Sequence, residues 1–362
     1  MTMRPLRHAP EPYRRPGFGF TCRLLGALTA LAILGACGSP ATEAVSDAES
    51  AGGSSFPVTI EHKYGSTNIS KEPKRVVVLG LTDVDAVLAL GVQPVGFVDW
   101  YGEYPKADIR NGLWPWSHDA VGDVQPVVMP RNEDKFNFET IASLRPDILI
   151  AQYTGMTEQE YKTASKIAPT VAQSADFPDF EAPWDDTTRR IGKALGRSEK
   201  AEELIRGVQE KFAAARAAHP EFQGKTAMLV GIYDGVIYAR GPKEPHGKVL
   251  AELGFSYPEK VAALIPDDNV LAELSLEQVE LLECDVLMVG EFESAGDLTR
   301  HPLYQNLAVV REDRVVPGTE PVEGALYWAT VTSLPYALDH LVPQLAAAAD
   351  GDPQTKVAEA IS

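Results

Sequence analysis

Trp and Tyr residues gather directly after predicted strands, where their side chains could bind a ligand. One such ring can bury roughly 150–250 Å² of ligand surface, and the indole N–H and phenol O–H can orient polar ligand atoms. Three of the five Trp residues lie in a single loop that is also rich in Pro and Gly. Each ring could instead pack in a small core, but a group at strand ends favours a binding surface. These candidates are Trp100, Tyr101, Trp114, Trp116, Tyr153 and Tyr233.

A polar pair in the second half of the chain could contact the same ligand. Tyr238 and Arg240 alternate with Ile237 and Ala239, so they would share one face of a strand. A guanidinium pairs readily with an anionic ligand oxygen. An ordinary surface ion pair is an equally good interpretation of Arg240 in a chain this acidic.

The composition disfavours several other kinds of function. Lys and Arg total 33 against 51 Asp and Glu, a net charge of −18, and nucleic-acid binding requires basic patches. Seven His and three Cys are scattered without a zinc-binding spacing such as CxxC or HExxH. No GxSxG nucleophile elbow occurs in the sequence. We therefore predict neither a metal site nor a catalytic residue.

The first residues have the composition of an export signal. Five Arg residues precede an apolar run at 24–34, which is too short for a spanning helix of about 20 residues. The run ends in the sequence LGAC at Cys37, which resembles the lipobox of bacterial lipoproteins. The resemblance implies cleavage before Cys37 and lipidation of its thiol. We predict a signal peptide at 1–36, a flexible tether at 37–56 and a lipid-anchored location on the outer face of the cell membrane.

Strands and helices alternate after the tether. Segments that are mainly apolar, at 75–79, 95–98 and 147–151, predict buried strands. Helical periodicity occupies 83–90 and 137–144. This alternation predicts an open α/β sheet with parallel strands, and ligands bind beyond the carboxyl ends of such strands.

A longer helix is predicted at 198–219, with apolar residues at spacings of three and four and Ser198 as its N-cap. About 20 helical residues span roughly 30 Å, the width of a small domain. The helix could pack on one lobe, but its position between two α/β segments favours a rigid connection. The predicted divisions are an N-terminal lobe at 57–180, a connecting helical segment at 181–222, a C-terminal lobe at 223–350 and a tail at 351–362.

A helix-to-strand unit occurs twice, with 138 positions between equivalent residues. Glu139 and Asp147 of the first copy match Glu277 and Asp285 of the second. Apolar matches alone carry little weight, because all such units share the same periodicity. The two matched acidic residues indicate an internal duplication, and therefore two similar lobes.

Three motifs resemble the periplasmic-binding proteins of iron–siderophore and cobalamin ABC importers, especially the lipoprotein forms of Gram-positive actinobacteria. They are PKRVVVL leading to LGVQPVG, then NFETIASLRPDILI, and finally SLPYALDHLVPQL. The resemblance covers about residues 57–348 and implies two Rossmann-like α/β lobes with a ligand cleft between them, joined by a long rigid helix. The segment at 126–135 departs from the family pattern, because many relatives are shorter there.

The resemblance also implies a function. The protein would capture a ferric siderophore outside the membrane and deliver it to an ABC permease dimer, as a monomer that catalyses nothing and needs no cofactor. Cobalamin and haem are alternative ligands, and a siderophore hydrolase is a distant third possibility. Hydroxamate, catecholate and mixed siderophores all fit an aromatic cleft.

Three residue roles follow from the same resemblance. Trp328 precedes the final helix, in a region that reaches the cleft in similar proteins. Glu139 and Glu277 occupy a motif whose acidic residues meet Arg residues of a two-subunit permease, one from each lobe. A carboxylate near the positive end of a helix also stabilises the helix, which is the simpler explanation for either Glu alone.

Overall fold

The computed structural model describes residues 56–102, 108–122, 125–131, 135–266, 270–290, 298–352 and 355–357. The predicted signal peptide, Cys37 and nearly all of the predicted tether lie outside these residues. Within the part of the chain that is described, no helix is both long and apolar enough to cross a membrane.

The described residues form one hairpin and two five-stranded sheets, flanked by helices. The strands are β1 Val58–His62, β2 Gly65–Ile69, β3 Val76–Val78, β4 Gly96–Asp99, β5 Val127–Pro130, β6 Ile148–Ala151, β7 Thr170–Ala172, β8 Ala227–Tyr233, β9 Val236–Arg240, β10 Leu271–Ser275, β11 Val286–Val289 and β12 Val315–Pro317.

Helices occupy most of the chain between the strands. The α-helices are α1 Asp83–Ala89, α2 Phe138–Ser143, α3 Glu158–Ala164, α4 Trp184–Ala194, α5 Ser198–Ala218, α6 Pro245–Leu253, α7 Glu259–Ala262, α8 Pro302–Gln305, α9 Ala308–Arg311, α10 Glu320–Trp328 and α11 Ser333–Ala349. In the described ranges, 3₁₀ helices lie at Pro115–Ala120, Pro220–Phe222 and Leu276–Leu282.

The first sheet has the strand order β5-β4-β3-β6-β7, and every neighbouring pair is parallel. Its central strands β3 and β6 are buried along their whole length, as expected for a parallel sheet covered on both faces. This sheet, with α1 to α3, is the N-terminal lobe. It confirms the predicted α/β architecture.

The second sheet, with α6 to α11, is the C-terminal lobe, and its strand order is β10-β9-β8-β11-β12. Strands β8, β11 and β12 are parallel, whereas β9 pairs antiparallel with both β8 and β10. The predicted alternation does not anticipate this meander. Its first turn holds Asp234 and Gly235 at positive φ of 49° and 77°, the backbone that a two-residue hairpin requires.

The duplicated unit occupies equivalent positions in the two sheets. Val76 of β3 pairs with Ile148 of β6, and Ala227 of β8 pairs with the matching Val286 of β11. The two matched Asp side chains accept equivalent backbone hydrogen bonds. Asp147 accepts the backbone N–H groups of Lys74 and Arg75, and Asp285 accepts that of Thr226. Each one therefore fixes the start of the neighbouring strand.

Helix α5 packs against α4 on one side and against α6 and α11 on the other. Its buried face consists of Ala201, Ile205, Val208 and Phe212, as the apolar spacing predicts. The predicted N-cap is wrong by one residue: Arg197 occupies that position without a side-chain cap, and Ser198 is the first helical residue.

One apolar core is continuous across the two lobes. It contains Val78 and Ile150 of the first sheet, Leu229 and Met288 of the second, and Val208 of α5. The opposite face of each sheet has a separate core of its own. The lobes are therefore joined by packed side chains as well as by covalent connection.

Candidate ligand-binding site

Trp100 follows β4 at the carboxyl edge of the first sheet, as predicted. Its indole N–H donates to the carbonyl of Leu79 at 2.9 Å, so that polar group is already used within the protein. The Cζ atom of Arg131 lies 3.4 Å from the centre of the ring, a cation–π contact. The side that Trp100 turns toward Arg131 is therefore covered by a guanidinium.

Tyr101 lies between the two lobes. Its ring contacts Trp114 of the N-terminal lobe at 5.4 Å and Trp328 of the C-terminal lobe at 5.5 Å, both edge to face. Its hydroxyl donates to the carbonyl of Leu81 at 3.1 Å. Burial, helped by the Asp85 charge, raises the pKa of Tyr101 well above its usual range, so the hydroxyl stays a donor.

Trp114 and Trp116 stack face to face, with centroids 4.9 Å apart and planes at 9°. Trp114 is only 8% exposed and packs on Gly324 of α10, whose missing Cβ would lie 2.6 Å from the indole. The Trp116 N–H donates to Oδ2 of Asp85 at 2.8 Å. Both rings thus lie in a packed layer between the lobes.

Tyr153 follows β6, and its ring contacts Phe180 at 5.3 Å while its hydroxyl donates to the Phe180 carbonyl. Burial is the main cause that raises the pKa of Tyr153, and Tyr327 and Glu181 add to it. Tyr327 belongs to α10 of the C-terminal lobe. Phe180 and Tyr327 are 42% and 45% exposed, which is unusual for rings of this size.

Arg240 lies at the end of β9 with its Cζ 6.0 Å from the centre of the Tyr327 ring. Its Nη1 donates to Glu244 Oε1 at 3.3 Å, and the other Glu244 oxygen contacts Nδ1 of His246 at 2.7 Å. Burial alone would raise the pKa of Glu244, but the His246 hydrogen bond and the Arg240 charge hold it below its ordinary value. The site thus contains an oriented guanidinium beside an exposed ring.

Tyr233 and Tyr238 lie apart from these rings. Tyr233 is 58% exposed next to the β8–β9 turn. Tyr238 alternates with the buried Ile237 and Ala239, on the face of β9 that also carries Arg240, as predicted. Among the described residues, no ring contact joins either Tyr to the Trp residues.

Ring contacts join the remaining candidates into two rows. The first row runs from Trp100 through Phe180 to Tyr153. The second row crosses the lobes through Trp116, Trp114, Tyr101, Trp328 and Tyr327. Ligand contact by any of these rings stays a prediction.

Three residues of this surface are absent from the sequence-based candidates. Arg131 lies in the 126–135 segment, where only the departure from the family pattern drew attention. Tyr327 directly precedes the candidate Trp328, and this adjacency could have identified it from the sequence. Phe180 follows no strand, and nothing in the local sequence distinguishes it.

The two candidate docking residues lie in exposed first turns. Glu139 is in α2, which Asn137 caps through its side chain, and Glu277 is in the 3₁₀ helix at Leu276–Leu282. Within the described ranges, no group of three or more His, Cys, Asp or Glu side chains could hold a metal ion.

Comparison with known proteins gives a consistent result. The profile of a family described as periplasmic binding protein matches residues 76–321. The chain is 30% identical to the Fe(3+)-citrate-binding protein YfmC of Bacillus subtilis, over 71% of this chain and 76% of that protein. It is 28% identical to the probable siderophore-binding lipoprotein YfiY of the same organism, over 78% and 86%.

A solved structure has the same fold. The periplasmic solute binding protein of Mycobacterium smegmatis superposes with a TM-score of 0.69 at 34% identity. The superposition covers 80% of this chain and 97% of that one, so it includes both lobes.

Proposed function

Because this chain belongs to the periplasmic binding protein family, we propose that it captures a ferric siderophore outside the membrane and delivers it to an ABC permease. The observation that carries the proposal is the pair of aromatic rows, one at the edge of the first sheet and one that crosses the lobes. Two relatives are named for binding ferric citrate and a siderophore. That chemistry matches this surface.

The side chains fit an iron complex whose oxygens already surround the metal. Such a chelate presents apolar arms, which aromatic rings can cover, and partly charged oxygens, which guanidinium N–H groups can bind. Arg131 lies over Trp100 and Arg240 lies beside Tyr327. The chelated ferric ion needs no ligand from the protein, and the chain does no chemistry on it.

Delivery requires that the protein stay near the membrane and dock on its partner. We propose that lipid on Cys37 anchors the chain, a role that agrees with the lipoprotein description of one relative. Glu139 and Glu277 would dock on the permease, since both are exposed and occupy equivalent places in the two lobes. Two matched contacts would align a pseudo-twofold protein with a twofold partner.

Titration of the intrinsic Trp fluorescence tests the ligand class. The Trp fluorescence of the wild-type protein should be quenched by at least one member of a panel of ferric hydroxamates, ferric catecholates and ferric citrate. The same panel includes cobalamin and haem. A saturable shift of the Soret band on haem titration, or saturable quenching by cobalamin alone, would overturn the siderophore proposal.

A Tyr327→Ala variant connects the ligand to this surface. Loss of the ring should weaken binding of the quenching siderophore about five- to 150-fold, from roughly 1–3 kcal/mol of lost burial. Tyr304→Phe is the matched control, because Tyr304 is buried in the separate core of the C-terminal lobe. Recovery of the ferric siderophore unchanged after incubation would support binding without catalysis.

A further inference from the structure

Asp85 is a buried carboxylate that joins three segments of the chain. It lies in the first turn of α1 and is 5% exposed. Its Oδ1 accepts the Ser117 hydroxyl at 2.7 Å. Its Oδ2 accepts the Trp116 indole N–H at 2.8 Å and the Thr330 hydroxyl at 2.7 Å.

This arrangement is costly and therefore informative. Removal of a carboxylate from water opposes folding unless donors replace the lost hydration. Burial raises the pKa of Asp85, while the hydrogen bonds from Ser117, Thr330 and Trp116 oppose that rise. Across the residues that the structure describes, no ion pair involves Asp85, so its stabilisation comes from these donors.

Two of the three donors come from the N-terminal lobe and one comes from the C-terminal lobe. Trp116 and Ser117 belong to the 3₁₀ helix at Pro115–Ala120. Thr330 lies between α10 and α11 and is itself fixed: its N–H donates to the Ser333 hydroxyl at 2.7 Å, and its hydroxyl accepts the Ser333 N–H at 3.0 Å. The Asp85–Thr330 hydrogen bond thus crosses between the lobes.

The hydrogen bonds of Asp85 reach the chain at both ends of the second aromatic row. Trp116 begins that row through its stacking on Trp114, and Thr330 follows Trp328 by two residues. The side chain of Asp85 therefore holds the ring that starts the row and, through the Thr330 hydroxyl, the segment that follows the other end of the row.

We propose that Asp85 is a positioning residue that fixes the aromatic row across the two lobes, and that ligand affinity depends on the Asp85–Thr330 bond. The part that concerns affinity rests on the proposed function. The part that concerns the two lobes does not, because it can be measured without a ligand.

Two single-hydroxyl deletions separate this role from ordinary structural support. Thr330→Val removes the donor that crosses the lobes and also the acceptor of the Ser333 N–H, with nearly the same side-chain shape. Ser117→Ala removes a donor at the same 2.7 Å distance within the N-terminal lobe. Both leave Asp85 short of one hydrogen bond, so both should lower the melting temperature.

Hydrogen exchange of the unliganded protein is the first measurement. Thr330→Val should accelerate exchange about tenfold at the 115–120 segment, on the other side of the lobe boundary. Acceleration at the first turn of α11 is expected from this variant in any case, because the Ser333 N–H loses its acceptor. Ser117→Ala should accelerate exchange at 115–120 and leave the first turn of α11 unchanged. Unchanged exchange at 115–120 in Thr330→Val, or acceleration of the α11 start by Ser117→Ala, would overturn the positioning role.

Ferric citrate and one ferric representative each of hydroxamate and catecholate siderophores serve as probes for the second measurement. For any probe that quenches the wild type, Thr330→Val should weaken affinity at least fivefold and Ser117→Ala less than twofold. Equal losses would overturn the dependence on the crossing bond. If no probe quenches the wild type, the proposed function fails while the exchange comparison still decides the positioning role.

Discussion

Arg131 covers one side of Trp100, with its Cζ 3.4 Å from the ring centre. A ligand that approaches from that side meets a guanidinium before it meets the indole. The indole N–H is bound to the Leu79 carbonyl, so this side presents the guanidinium rather than the indole. We predict that an anionic group of the ligand contacts this side.

Arg131→Ala should therefore weaken binding of ferric citrate more than binding of a neutral ferric hydroxamate. The expected loss for the anionic complex is roughly tenfold or more, which equals about 1.4 kcal/mol. Titration of Trp fluorescence measures both affinities. Arg110→Ala is the control, since Arg110 is exposed and paired with Asp108. Equal losses for the two complexes would contradict a charge-based role.

Gly324→Ala should destabilise the protein, because the added methyl would lie 2.6 Å from the Trp114 ring. Overpacking of this kind costs about 1–3 kcal/mol. The control is Gly207→Ala in the exposed part of α5, where a Cβ meets no atom within 4 Å. That change should stabilise by about 0.5–1 kcal/mol, the helix-propensity gain of Ala over Gly. Urea unfolding measures the stability of both variants. An unaltered midpoint for Gly324→Ala would show that the Trp114 ring can move to make room for the methyl group.

Reversal of both docking charges, Glu139→Arg with Glu277→Arg, should abolish siderophore uptake and leave ligand affinity intact. Coulomb attraction to basic permease residues would become repulsion at both lobes. The matched control is Glu199→Arg with Glu210→Arg, two exposed Glu residues of α5. Uptake of a labelled ferric siderophore by whole cells is the measurement. Full uptake by the first double variant, or lost ligand binding, would assign these carboxylates another purpose.

Cys37→Ser should release the protein from the membrane or leave an uncleaved precursor, because the lipid-bearing thiol is gone. Cell fractionation with an antibody measures the distribution. Cys22→Ser is the control, since Cys22 lies within the predicted signal peptide and would leave with it. Processed Cys37→Ser protein that stays on the membrane would rule out the anchor.

Asp83 should make the stability of the protein fall as the pH rises from about 4 to 7. Burial raises the pKa of Asp83 to about 7, although the Gln152 and Tyr153 amides donate to its carboxylate. The unfolded chain loses this proton near pH 4, so the folded protein binds the extra proton over that interval. The stabilisation is complete below pH 4 and is lost by pH 7.

Asp83→Asn removes this titration. The free energy of unfolding of the variant, relative to wild type, should therefore rise with pH between 4 and 7, by at most about 1.4 kcal/mol per pH unit. Asp285→Asn gives the opposite control. Burial alone would raise the pKa of Asp285, but hydrogen bonds from Thr226 hold it below its ordinary value. The effect of Asp285 on the stability therefore appears only at pH values below 4. If the difference in unfolding free energy between Asp83→Asn and wild type does not change with pH, the buried proton is contradicted.

The sequence predicts strands and helices well where periodicity and duplication agree. The alternation around Ile237 and Ala239 predicts the common face of Tyr238 and Arg240, and the matched Asp residues have the same role in both sheets. The antiparallel meander escapes prediction because strand direction depends on the turn at Asp234 and Gly235, and such a turn leaves the apolar pattern of the flanking strands unchanged.

The site is less predictable than the fold because residue type alone does not separate a supporting ring from an exposed one. Trp114 and Tyr327 both belong to the second aromatic row, yet Trp114 is packed on Gly324 and Tyr327 is 45% exposed. That difference arises from contacts between the lobes. Arg131 is likewise placed by where β5 ends beside β4, a pairing distant from any local motif.

The apolar core that runs through both lobes and α5 makes the two halves of this chain mutually dependent. A gene duplicated into tandem copies could have kept two separable modules, each able to fold after the chain is cut between them. Here a break at 181–222 would strip each fragment of the side chains that cover its inner face, including Val208. Fragments produced separately would recover this burial only by reassociation, so we expect the two repeated units to fold together.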